Sequence, residues 1–163
     1  MEYLEHETNN TLAGDLPDAD ADAGGIMTVR VVRIDARREQ LHAVIQALDG
    51  LAKHDAWPEE HLFKVRLVVE ELGLNIIEYA HRNDVPGEVE IRLSSRDGAL
   101  KIEFIDEAPL FDPLRETPVP DTSAGIEQQP IGGLGVSLVR KMMDEVYYAR
   151  EGNKNRLTLV ARL

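Results

Sequence analysis

The stretch EVEIRLSSRDGALKIEFID, Glu88 to Asp106, decides the fold. Val89, Ile91 and Leu93 alternate with Glu88, Glu90 and Arg92, the pattern of a strand with one face covered and one solvated. Arg96-Asp97-Gly98 supplies the hairpin turn, and the returning strand carries Leu100, Ile102 and Phe104 on one face and Lys101 and Glu103 on the other. Two adjacent strands with one apolar face need a second layer to cover it.

That layer is predicted upstream. Leu41, Val44, Ile45, Leu48 and Leu51 recur at three- and four-residue steps between Ala36 and His54, one apolar stripe of a helix. A second helix opens after Trp57, with Pro58 where a missing amide hydrogen costs nothing and Glu59 and Glu60 at the positive helix end. It runs to about His81 on a stripe of Leu62, Val65, Val69, Leu72, Ile76 and Ala80. Before them, Val29, Val31, Val32 and Ile34 within Met27 to Ile34 form a β-branched run suited to a strand. After the hairpin, Ala108 to Ile131 holds Pro109, Pro113, Pro118, Pro120 and Pro130 and no sustained period, too long for an ordinary connection and read as a lid. Leu134 to Met143 reads as a third helix, and Glu145 to Glu151 with Arg156 to Leu163 as a closing hairpin turned by Gly152-Asn153.

Composition narrows the function. The chain has 163 residues, the size of one domain with a real core, and no cysteine, so disulfides, thiolate zinc sites and cysteine nucleophiles are excluded. A net charge of −12 argues against nucleic acid as a partner. Much of it is local: Glu2, Glu5, Glu7, Asp15, Asp18, Asp20 and Asp22 precede the first cation, Arg30. Residues 1–25 are acidic, lack an apolar period and are expected to be a disordered leader to a domain spanning 26–163. No stretch approaches the roughly 18 apolar residues of a membrane span, and the N-terminus lacks the order of a signal peptide. A soluble, cytoplasmic protein without a membrane partner is expected.

Three features carry chemistry. Asp106 follows Leu100, Ile102 and Phe104 at even steps, which aims its carboxylate at the covered face, where it needs a partner. It reads either as a buried acceptor for a ligand amino group or as the first residue of a turn after a strand ending at Ile105. Glu71 and Asn75 lie one helical turn apart beside the apolar stripe, either a solvated face or a general base and an oxygen ligand for magnesium. Gly132-Gly133-Leu134-Gly135 stands directly before a helix whose first amides are unpaired, either a flexible tether or a phosphate cradle. No Lys-Ser or Lys-Thr follows, so it is not a P-loop.

In this order, with a lid between the second and third, these features closely resemble the N-, G1- and G2-boxes of the GHKL ATPase superfamily. The stretches Val69 to Ala80, Phe111-Asp112-Pro113 and Gly133 to Asp144 are most similar to those of the anti-sigma factor serine/threonine kinases, and the resemblance covers about residue 27 to the C-terminus. It implies an α+β fold, a two-layer α/β sandwich of the Bergerat type with a mixed, mostly antiparallel sheet and helices on one face. It implies ATP between the layers, Asn75 on magnesium, Glu71 activating the acceptor hydroxyl and Asp106 accepting from the adenine amino group. Ala108, Gly133, Leu134 and Gly135 would line the nucleotide, and Thr158 matches the threonine that supports the adenine contact; both faces of its strand carry apolar residues, so a buried structural threonine fits the pattern equally.

The implied reaction is phosphorylation of a STAS-domain anti-anti-sigma factor on serine or threonine in a partner-switching system. A sigma factor is the second implied partner, and a homodimer through the first strand and helix is the implied assembly. This chain departs from the superfamily at Ala108 and Leu110, where glycines are frequent, and has no Lys or Arg from Thr117 to Gly135. These departures keep a second reading open, a nucleotide-binding module that sequesters its partner without significant kinase activity. The catalytic half of a sensor histidine kinase fits poorly, because His42, His54, His61 and His81 sit in no dimerising phosphoacceptor pattern.

Overall fold

The computed structural model describes residues 2–7, 27–80, 87–116 and 134–162. In chain order these form β1 (Glu2–Glu7), β2 (Thr28–Asp35), α1 (Leu41–His54) entered through a 3-10 turn at Arg38–Gln40, and α2 (Glu59–Asn75) continued by a π-helical turn at Ile76–Ala80. There follow β3 (Glu88–Arg96), β4 (Ala99–Asp106), the single-turn α3 (Pro113–Glu116), α4 (Leu134–Met142), β5 (Glu145–Glu151) and β6 (Lys154–Arg162).

The strands make one sheet in the order β1-β2-β3-β4-β6-β5. Every pairing among the described residues is antiparallel, so no parallel pair accompanies the mostly antiparallel sheet expected. The reason lies in the closing hairpin: β5 takes the edge and β6 folds back between it and β4, so that β4 and β5 never meet. Two-residue turns set the register. Asp97 and Gly98 both take positive φ, 50° and 75°, as a type I′ turn requires, and Gly152 at φ 60° opens the β5–β6 turn.

The register carries one set of side chains inward. Val32, Ile91, Phe104 and Leu157 face one another across four strands, flanked by Val89, Leu93, Leu100, Ile102 and Leu159, all buried. The helices cover this face with Val44, Leu48 and Leu51 from α1, Val65, Val69 and Leu72 from α2 and Val139 from α4, in one continuous core. Burying each such side chain stabilises the fold by roughly 1.5–3 kcal/mol. The other face carries charge: Arg33 and Arg92 bracket Glu90, and Glu103 lies between Lys101 and Arg156. Burial pushes the Glu90 carboxyl up, but hydrogen bonds from Arg92 and Arg33 outweigh this and hold it below the ordinary carboxylate range.

Within the stretch expected as an unstructured leader, Glu2–Glu7 forms a strand that pairs with β2 along its whole length, from Glu2 opposite Arg33 to Glu7 opposite Thr28. The physical reason is the edge itself: β2 offers a row of unpaired backbone groups that an extended segment satisfies whatever its side chains. The rest of the expected leader, Met1 and residues 8–25, lies outside the described residues.

α1 ends in a Schellman arrangement. The Trp57 amide donates to the Ala52 carbonyl at 2.9 Å, and Ala56 takes the left-handed position at φ 53° that glycine usually fills. Ala56→Gly is therefore expected to stabilise the domain by about 0.5–1 kcal/mol, seen as a raised midpoint in urea with unchanged slope; a lowered midpoint would contradict this strain.

Candidate functional site

The two poles of the domain follow from the topology. Asp55 to Pro58, at the start of α2, line a cavity with Ser95 to Gly98, so α2 begins at the β3–β4 turn. Its 17 residues rise about 25 Å, close to the roughly 26 Å covered by the eight residues of β4, so Asn75 reaches the pole where β4 ends at Asp106. α4 runs the opposite way against α2. Its last turn leads to Asp144, whose amide donates to the Val160 carbonyl near the start of β4, so its N-terminal turn points toward the Asp106 pole. The cavity is thus remote from the Asp106 pole, and residues 81–86 and 117–133 lie outside the described residues.

Asp106 is buried at 4% exposure, on the helix-covered face that its parity predicts, opposite Val89 on one side and Asn155 on the other. One carboxylate oxygen is fully engaged: Oδ1 accepts from the Ala108 amide at 2.9 Å and from Asn155 Nδ2 at 2.8 Å. Oδ2 has no hydrogen-bond partner among the described residues. β4 runs on through Asp106, so the strand does not end at Ile105 as one reading expects, although Oδ1 does close a local turn through the Ala108 amide. Ala108 is itself buried, and its carbonyl accepts from Arg150 Nη1 at 2.8 Å.

Asn155, which the sequence reading leaves out, is the hub of this network. Its Nδ2 also donates to the carbonyls of Ala108 and Pro109, at 3.3 and 3.1 Å, while its Oδ1 accepts from Tyr148 Oη at 2.7 Å and Arg150 Nη1 at 2.8 Å. A longer bond of 3.5 Å comes from the Phe111 amide. Because a guanidinium only donates, the atom facing Arg150 must be the amide oxygen, which fixes the orientation of the carboxamide and turns its donor toward Asp106. Burial pushes the Tyr148 hydroxyl above its ordinary pKa, with Asp112 and Asp106 adding to the effect and Arg150 opposing it, so it remains an O–H donor.

Register corrects the role expected for Thr158. It stands opposite Glu103, whereas Asp106 stands opposite Asn155, so the two side chains leave the sheet on opposite faces. Thr158 is a buried residue of the charged face, and the polar group beside Asp106 comes from Asn155, three residues earlier. A sequence signal existed: Asn155 shares parity with Leu157, Leu159 and Ala161, and a lone carboxamide in an apolar row facing an inward acid is a natural partner for it.

Glu71 and Asn75 are half-buried on α2, and neither side chain has a hydrogen bond or ion pair with another described residue. Leu72 and Ile76 between and beyond them are in the core, so the pair flanks the buried stripe rather than the solvent pole of the helix. Directly after Asn75 the helix widens into its π-helical turn, a feature often found at functional sites. Leu134 and Gly135 form the first turn of α4, and Gly133 lies outside the described residues.

Taken together, these features define a class: a two-layer α+β domain with an inward acid, a carboxylate–carboxamide pair whose side chains have no partner among the described residues, and a helix N-terminus at one pole. The Histidine kinase-like ATPase domain family matches residues 34–161, and the chain belongs to that family. Membership implies use of ATP. Among curated relatives, the chain is 28% identical over 118 residues to the Serine-protein kinase RsbW of Bacillus subtilis (strain 168), covering 71% of this chain and 74% of the relative. It is 27% identical to the protein of the same name from Bacillus cereus (strain AH187), covering 71% of this chain and 73% of the relative. Among solved structures, the RsbU and RsbW domains of Rv1364c from Mycobacterium tuberculosis superpose with a TM-score of 0.56 at 16% identity, over 82% of this chain. That match spans 32% of the solved chain and speaks for the fold alone. No described helix is long and apolar enough to cross a membrane.

Proposed function

We propose that this domain binds magnesium ATP at the Asp106 pole and transfers its γ-phosphoryl group to a serine or threonine of a STAS-domain anti-anti-sigma partner, with a sigma factor as the alternative partner. The observation that carries this reading is the half-satisfied Asp106 carboxylate, buried on the helix side with one oxygen held by two donors and the other available. Such a group accepts an exocyclic amino group and opposes a carbonyl oxygen in the same place, which selects adenine over guanine or hypoxanthine. The relatives named as serine-protein kinases support the reaction class.

Asn75 suits magnesium, because its amide oxygen is a hard neutral ligand with no competing partner among the described residues. When bound, the metal offsets phosphate charge. Glu71, one turn earlier on the same side, is placed to orient the acceptor hydroxyl and take its proton on a carboxylate oxygen. The first turn of α4, with Leu134 and Gly135 and preceded by Gly133, offers unpaired amides and a positive dipole end to the phosphates. Ala108 would flank the base through its fixed backbone. A homodimer in the cytoplasm completes the proposal.

Asp106→Asn tests it. The amide oxygen should keep the two donors that Oδ1 now holds, leaving the NH₂ where Oδ2 stood, so an acceptor becomes a donor with little change of shape. ATP affinity is expected to fall more than about tenfold while ITP affinity holds or rises. Equal losses for both nucleotides, or none, would remove Asp106 from base recognition. Transfer of label from γ-labelled ATP to a STAS partner tests the phosphorylation step separately.

A further inference from the structure

We infer that Asn155, clamped by Tyr148 and Arg150, is the positioning residue that sets which oxygen of Asp106 a ligand meets, and so governs base selectivity at this pole. The inference rests on the nucleotide-binding reading above.

The argument is one of direction passed along a chain of bonds. Arg150 and Tyr148 both donate to Asn155 Oδ1, which leaves Nδ2 only one way to point. Nδ2 and the Ala108 amide then occupy Asp106 Oδ1, so the carboxylate cannot rotate without breaking two bonds inside a buried site. Oδ2 is thereby held as the outward acceptor. The same carboxamide holds the carbonyls of Ala108 and Pro109, and Arg150 holds Ala108 a second time, so the segment after β4 is pinned to the β5–β6 hairpin rather than free to drift over Oδ2. A threonine, with one donor and no second arm, could not make these contacts together. Removing the carboxamide should let the carboxylate turn and the segment shift. The acceptor would then no longer be presented in one place, and the site would lose discrimination before it loses all affinity.

The test is equilibrium binding of ATP and ITP, each with magnesium, to the full chain, together with thermal melting of every variant. The unsubstituted protein should prefer ATP by about tenfold or more. Asn155→Leu, which keeps the volume and removes every polar contact, should bring the two affinities to within about threefold of each other. Tyr148→Phe, which deletes one hydroxyl from a partly exposed ring and spares the core, should lower the ratio part of the way. A merely structural Asn155 would lower the melting temperature and both affinities alike, leaving the ratio where it was; that result in a folded Asn155→Leu overturns the inference. Should Asn155→Leu fail to fold, an unchanged ratio in Tyr148→Phe overturns it instead. Absence of any ATP preference in the unsubstituted protein would defeat the nucleotide reading itself, and is read before any variant.

Discussion

Asn75→Ala is expected to leave the domain folded and to lower magnesium-dependent nucleotide turnover by on the order of a hundredfold or more. The fold should survive because the Asn75 side chain makes no hydrogen bond or ion pair with another described residue, and the adjoining Leu72 and Ile76 carry the packing. Alanine also improves helix propensity, by a few tenths of a kcal/mol relative to asparagine. On the proposed roles turnover should collapse, because a hard cation would lose an oxygen ligand and Glu71 would then orient a hydroxyl toward a phosphate that is no longer fixed. Paired measurements decide it: a melting curve within a few degrees of the parent together with lost turnover supports the role. Unimpaired turnover at saturating magnesium would count directly against it.

Phe104→Ala should have the largest effect on stability. Phe104 is 2% exposed at the centre of the inner sheet face, paired across to Ile91 and Leu157, with α1 and α2 above it. Truncation leaves a cavity that neighbours on two strands and two helices cannot all fill, at a cost of about 3–5 kcal/mol. For a chain of this size that lowers Tm by roughly 6–20 °C. Because Phe104 lies two residues before Asp106 on the same face, nucleotide affinity should fall with it, and saturating ATP should recover part of the lost stability by mass action. A loss under about 1 kcal/mol would mean that this face is not the packed core.

The layers of the fold are legible in the sequence because each element there carries one period cleanly. Val89, Ile91 and Leu93 against Glu88, Glu90 and Arg92 leave one solution for β3, and the stripes of α1 and α2 leave one buried side for each helix. The direction of Asp106 follows from the same parity, since β4 continues unbroken from Leu100 to the acid. What is not legible lies where the deciding contact is distant. β1 has no apolar period and forms because β2 presents an edge, a fact of assembly rather than of local pattern. β6 has buried residues on both faces, so Thr158 and Asn155 cannot be ranked by periodicity, and only the pairing of Asn155 with Asp106 separates them. Reading that strand from Arg156 onward also leaves Asn155 in the turn, one position outside consideration. α3, four residues inside the proline-rich segment, is too short to carry a stripe at all.

The widened turn at Ile76–Ala80 has a consequence for how this chain tolerates change in length. Its hydrogen bonds span one residue more than those of the α-helix before it, so the segment holds a spare link just past Asn75. Deleting a single residue there should be absorbed by reversion to ordinary winding, with Glu71 and Asn75 undisturbed. A deletion of the same size earlier in α2 would instead swing Glu71 and Asn75 by about 100° against the rest of the stripe. The chain thus concentrates its tolerance for insertion and loss immediately downstream of the residues it can least afford to rotate.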